Sequence, residues 1–120
     1  MRLCYGLFLV SLAACGSSTS YSSNPPPPPP PAPPPAPGTV FDTVADFRFT
    51  PDTVTITSGN PVRWINRGSQ AHTVTSDSTG VFNSGTLSSG AVYDRTFSST
   101  GTYKYHCSIH PTMHGVVIVN

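Results

Sequence analysis

Gly101-Thr102-Tyr103-Lys104-Tyr105-His106-Cys107-Ser108-Ile109-His110-Pro111-Thr112-Met113-His114-Gly115-Val116-Val117-Ile118-Val119 is the stretch whose pattern decides the architecture. Tyr103, Tyr105 and Cys107 recur at every second position, the period of a strand with one buried face. Val116 to Val119 is a continuous apolar run, suited to a strand in the middle of a sheet. The segment between them carries Pro111 and no helical period, so it reads as a loop joining two strands.

Working outward, the same alternation returns in short pieces separated by turn signals. Phe47 and Phe49 precede Pro51-Asp52, and Val54 and Ile56 alternate with threonines before Ser58-Gly59-Asn60-Pro61. Val62 and Trp64 share a face ahead of Asn66-Arg67-Gly68, His72 and Val74 alternate with Thr73 and Thr75, and Tyr93 and Phe97 share another face. About seven strands within residues 39–120 predict an all-β domain, a Greek-key sandwich or barrel.

Composition narrows the function classes. The 120-residue chain is 9% charged, against about a quarter in an ordinary soluble protein, with a formal net charge of +1 and no Glu. That balance excludes the basic footprint of a nucleic-acid binder and a polybasic membrane patch. The length excludes a large multidomain enzyme. Residues 39–120 hold five basic and five acidic side chains, so electrostatic steering of a partner is weak and an apolar contact surface is expected.

The residues before the domain read as an address and a stalk. Met1-Arg2 followed by the mostly apolar Leu3 to Ala14 has the pattern of a secretory signal, too short for a stable bilayer span. Leu12-Ala13-Ala14-Cys15-Gly16 resembles the lipobox of bacterial lipoproteins. That resemblance implies cleavage after residue 14 and lipidation of Cys15, hence an exported protein anchored by lipid in the bacterial envelope, facing the periplasm or outer membrane. Pro25 to Pro31 is an unbroken proline run, followed by Pro33, Pro34, Pro35 and Pro37. Such a stretch favours polyproline II, and residues 25–37 would reach about 40 Å as the semi-rigid part of a linker over residues 15–38.

Cysteine usage then points to a metal. Cys4 lies in the leader and Cys15 would carry lipid, leaving Cys107 alone in the domain, with no internal disulfide available. Cys107 to His110 is C-x2-H and His110 to Met113 is H-x2-M. The only histidine outside the stretch Tyr105–Gly115 is His72. Two imidazoles, a thiolate and a thioether are the donor set of a blue-copper centre, acceptable to both Cu(II) and Cu(I). Each residue alone has a plainer reading: a buried small hydrophobe, a core gap-filler or surface histidines. Their joint order and context favour one copper ion. His106 should face away from Cys107 by alternation, and His114 should lie exposed beside the site.

Here the sequence resembles the cupredoxin family, in particular its plastocyanin-, amicyanin- and pseudoazurin-like members. The resemblance runs over Phe47-x-Phe49-x-Pro51, Val62-x-Trp64-x-Asn66, His72-Thr73-Val74 and Gly101 to Cys107, with the short Cys107–Met113 loop most like the amicyanin type. It implies His72, Cys107 and His110 as equatorial ligands, Met113 as the long axial ligand, and His110 with Pro111 as the electron port. Many family members place Asn directly after the first ligand His, tying the two ligand loops together; this chain has Thr73 there. The expected function is one-electron transfer between redox proteins of the envelope by a membrane-tethered monomer, with copper sequestration or delivery as the alternative. No enzyme is expected: the H-C-H and H-x-H pairs of multicopper oxidases are absent, as is the second loop Cys of a binuclear thiolate centre.

Overall fold

A computed structural model of the chain describes Gly16, residues 25–28 and residues 30–120. The leader (residues 1–14) and the lipidation site Cys15 lie outside the described residues. Among the described residues, eight strands form two four-stranded sheets: β1 (Val40–Ala45), β2 (Arg48–Thr50), β3 (Thr53–Ile56), β4 (Pro61–Asn66), β5 (Thr75–Ser76), β6 (Val92–Thr96), β7 (Gly101–His106) and β8 (His114–Val119). One sheet runs β2-β1-β4-β6 and the other β3-β8-β7-β5, with β1/β4 and β3/β8 the parallel pairs. This is the expected all-β sandwich.

The C-terminal pattern folds as its period dictates. β8 lies between β3 and β7, and its Val117 and Val119 point inward, as does Tyr105 of β7. Trp64, fully buried, is the hub of the core: it stacks on Phe82 and Tyr93 at 6.2 and 5.7 Å and meets Tyr105 edge-on at 5.5 Å. Burying a large apolar side chain of this kind contributes roughly 1.5–3 kcal/mol, so this cluster carries much of the clamp between the sheets. Gly115 faces Tyr105 across β7/β8, and a Cβ there would enter the Tyr105 ring, which is why no side chain stands at that position.

Two expected strands come out differently. Phe47 does not alternate with Phe49 in one strand; it sits in the tight turn joining β1 to β2 with φ 66°, and is 60% exposed while Phe49 is buried. The strand before that turn, β1, has no clean period-two signal because an inward position is taken by Asp42, 1% exposed. The His72–Val74 alternation also fails. His72, Thr73 and Val74 are all buried, and His72 makes only a single bridge to Leu87 before β5 begins at Thr75. A segment enclosed on both sides cannot show two-faced periodicity.

The stalk is not wholly detached from the domain. Arg63 of β4 holds Asp94 of β6 through two 2.6 Å bonds and donates from Nη1 to the Pro33 carbonyl at 2.8 Å. Arg63, 6% exposed, thus holds Pro33 of the linker against the first sheet.

Candidate metal centre

Two loops at one end of the sandwich meet. The first runs from β4 to His72 and is shaped by the buried Asn66, whose Nδ2 donates to the carbonyls of Gln70 and Leu87, both at 2.8 Å. Its Oδ1 accepts from the Gly68 N–H at 3.0 Å. The His72 backbone exchanges hydrogen bonds with Leu87 at 3.1 and 2.7 Å. The second loop leaves β7 at Cys107 and returns at β8. Its ends are held by Cys107 N–H to Met113 carbonyl at 3.1 Å and Met113 N–H to His110 carbonyl at 2.9 Å.

Between them His72, Cys107 and His110 bring their donor atoms within 4.8 Å of one another. Cys107 Sγ is 3.9 Å from Nδ1 of each histidine, and the two Nδ1 atoms are 3.1 Å apart. A point equidistant from the corners of that triangle lies about 2.1 Å from each, the ordinary bond length of a first-row metal to imidazole or thiolate. Cys107 and His72 are fully buried and His110 is half-buried. Met113, 1% exposed, is buried at the end of the same loop.

The surroundings prepare these atoms for a cation. Asp46 Oδ1 lies 3.4 Å from His72 Nε2, and because a carboxylate only accepts, Nε2 carries the proton and Nδ1 turns a bare lone pair into the triangle. Asp46 itself is held by the N–H groups of Gln70 and Ser69 and by the Ser69 hydroxyl, which lower its carboxyl to about 2. The Thr73 N–H points at Cys107 Sγ at 3.3 Å, a donor suited to a thiolate. The Thr73 hydroxyl accepts from the Ser108 N–H at 2.7 Å. Thr73 therefore makes the tie between the two ligand loops that the Asn of many cupredoxins makes. A buried cysteine sulfur and two imidazole Nδ1 atoms facing one point, with a thioether buried in the same loop, fit copper in either oxidation state.

Sequence reasoning missed Asp46 and Phe47. Phe47 meets the His110 ring edge-on at 5.0 Å and the His72 ring at 6.4 Å, roofing the site from the β1–β2 turn. An Asp-Phe pair read as the start of a strand carries no ligand signal; only the fold brings it over the histidines. The other two histidines stay outside the triangle, as alternation requires: His106 binds Asp77 at 2.6 Å on the outer face, and His114 is exposed.

Comparison with known proteins agrees with this geometry. The chain is 30% identical to amicyanin of Paracoccus denitrificans over 92% of its own length and 88% of that protein's. It is similar to a solved purple cupredoxin of Nitrosopumilus maritimus, with 34% identity, TM-score 0.58, and coverage of 60% of this chain and 81% of that one. A Cu(I) form of an amicyanin variant superposes with TM-score 0.66 at 29% identity, over 71% of this chain and 85% of that one. The model of the cupredoxin-like domain matches residues 8–119, and with a two-sheet sandwich and a His-Cys-His triangle between its loops, the chain belongs to the cupredoxin-like family.

Proposed function

We propose that this blue copper protein is a one-electron carrier tethered to the bacterial envelope through a lipidated Cys15. The observation that carries the electron-transfer reading is the triangle of His72, Cys107 and His110, preformed at bonding distance from a common centre. A copper ion held there would supply the Cu(II)/Cu(I) couple. The protein's share is rigidity: Asp46 holds the tautomer of His72, Thr73 locks the two loops, and Leu87 pins the His72 backbone. Donors fixed in this way need little rearrangement between oxidation states. The amicyanin structures similar to this chain include a Cu(I) form and an oxidised form, which supports the same cycle here.

Burial favours a carrier over a delivery module. Cys107 and His72 are sealed, so an acceptor protein could not reach them to exchange ligands. Only His110 comes towards the surface, flanked by exposed Phe47 and Ile109 (60% and 47%) and exposed Pro111. This apolar rim suits transient contact with redox proteins better than a charge match does. The test is reversible bleaching and recovery of the copper-loaded chain, against loss of copper to an acceptor on each reduction.

Met113 is assigned as the weak axial ligand. Met113→Leu should keep a coloured site and raise its reduction potential, because removing the thioether destabilises Cu(II) more than Cu(I). Voltammetry giving an unchanged potential would remove Met113 from the ligand set. The tether is tested separately. Cys15→Ser should release the chain from the membrane fraction of an exporting bacterium, and a variant that stays membrane-bound would contradict lipidation at that residue.

A further inference from the structure

The outer face of β7/β8 holds a second group of metal-ligating side chains, distinct from the His-Cys-His triangle. His106 and His114 are directly opposite partners in the antiparallel register, and their rings lie 6.4 Å apart between centroids at an interplanar angle of 50°. Two imidazoles sharing one ion, each bonded at roughly 2.0–2.1 Å, place their centroids about 4.5 Å apart at a right-angled bond angle and about 6.4 Å apart when the bonds are opposed, so the observed pair is at the wide end and closes by side-chain rotation on a bent site. Asp77 accepts a 2.6 Å hydrogen bond from His106 Nδ1, so the proton is on Nδ1 and Nε2 is left as a free donor. A carboxylate behind an imidazole in this way fixes the ring and raises its basicity as a ligand. Both histidines reach solvent, so a bound ion can complete its coordination with water.

We propose that His106 and His114, with Asp77 positioning His106, bind one divalent borderline cation of the zinc, nickel or copper(II) type. The two residues immediately flank Cys107 and Met113, the ends of the loop that supplies three of the four copper donors. An ion bridging them would staple the base of that loop from outside and stiffen it. The imidazole donors and the absence of a second carboxylate on the pair select against magnesium and calcium.

The test is calorimetric titration of the copper-loaded full chain with Ni(II), alongside the His114→Ala and Asp77→Asn variants. His114 is exposed, so its removal spares the core. One Ni(II) per chain is expected, with affinity falling at least about tenfold in His114→Ala and by about 10- to 100-fold in Asp77→Asn. Ni(II) should raise the melting temperature of the parent chain and leave that of His114→Ala unchanged. The same His114-dependent equivalent should appear in a Cys107→Ser chain, which separates this site from the copper reading. The proposal is overturned by an absence of Ni(II) binding, or by binding whose affinity and stoichiometry survive His114→Ala.

Discussion

Cys107→Ser abolishes the intense visible band of the copper-loaded chain while leaving the sandwich folded. The band requires a thiolate bonded to Cu(II), and a serine hydroxyl neither ionises near neutral pH nor offers a sulfur orbital for charge transfer. The substitution is nearly isosteric, and the Thr73 N–H that faces Sγ at 3.3 Å still finds an oxygen acceptor. The Cys107 backbone bond to Met113 is independent of the side chain, so the loop keeps its closure. Copper affinity should fall with the colour, since two imidazoles and a weak thioether remain. Absorption spectra and thermal melts of the two proteins check this together. A band persisting in a folded Cys107→Ser chain would sink the assignment of the site.

Asp42 gives the domain an unusual dependence on pH. Its carboxyl is 1% exposed, and burial pushes it from 3.8 up to about 6, against the pull of a 2.6 Å hydrogen bond from the Tyr105 hydroxyl. A carboxyl whose folded pKa is raised contributes stability below its unfolded pKa and loses it as pH rises through the folded one. A rise from 3.8 to about 6 corresponds to about 3 kcal/mol, lost between roughly pH 4 and pH 6. Asp46 works in the opposite sense and lower down: its carboxyl, lowered to about 2, loses its contribution only as pH falls below about 4. Asp42→Asn should therefore flatten the slope between pH 4 and 6 and raise stability at pH 7. The measurement is denaturant unfolding of the metal-free protein at several pH values, since copper binding adds a pH dependence of its own. An equal slope in Asp42→Asn would show that Asp42 is not the group responsible.

The same residue explains part of what the sequence conceals. The end of β7 is legible because Tyr103, Tyr105 and Cys107 recur at every second position, and β8 because Val116 to Val119 is an unbroken apolar run. β1 is not, because Asp42 occupies an inward position where the pattern demands an apolar residue. Phe47 misleads for the converse reason: an aromatic beside a strand reads as core, yet the two-residue turn lifts it over His110. The three strong metal donors are readable because few residue types bind copper and His72 is the one histidine outside residues 105–115. What supports them is not. Asp46 acts on His72 across 26 residues, and Thr73 acts on Cys107 across 34, through contacts that exist only once both loops are folded. Spacing along the chain records ligands that are close in sequence; it does not record which carboxylate or hydroxyl the fold delivers behind them.

The most direct test of the central claim is titration of the chain with Cu(II) followed by optical and EPR spectra through reduction and reoxidation. One equivalent of copper should give an intense thiolate-to-copper band with narrow hyperfine splitting, bleached on reduction and restored on oxidation. Colourless copper binding, or colour that does not return after reduction, would contradict a carrier built on His72, Cys107 and His110.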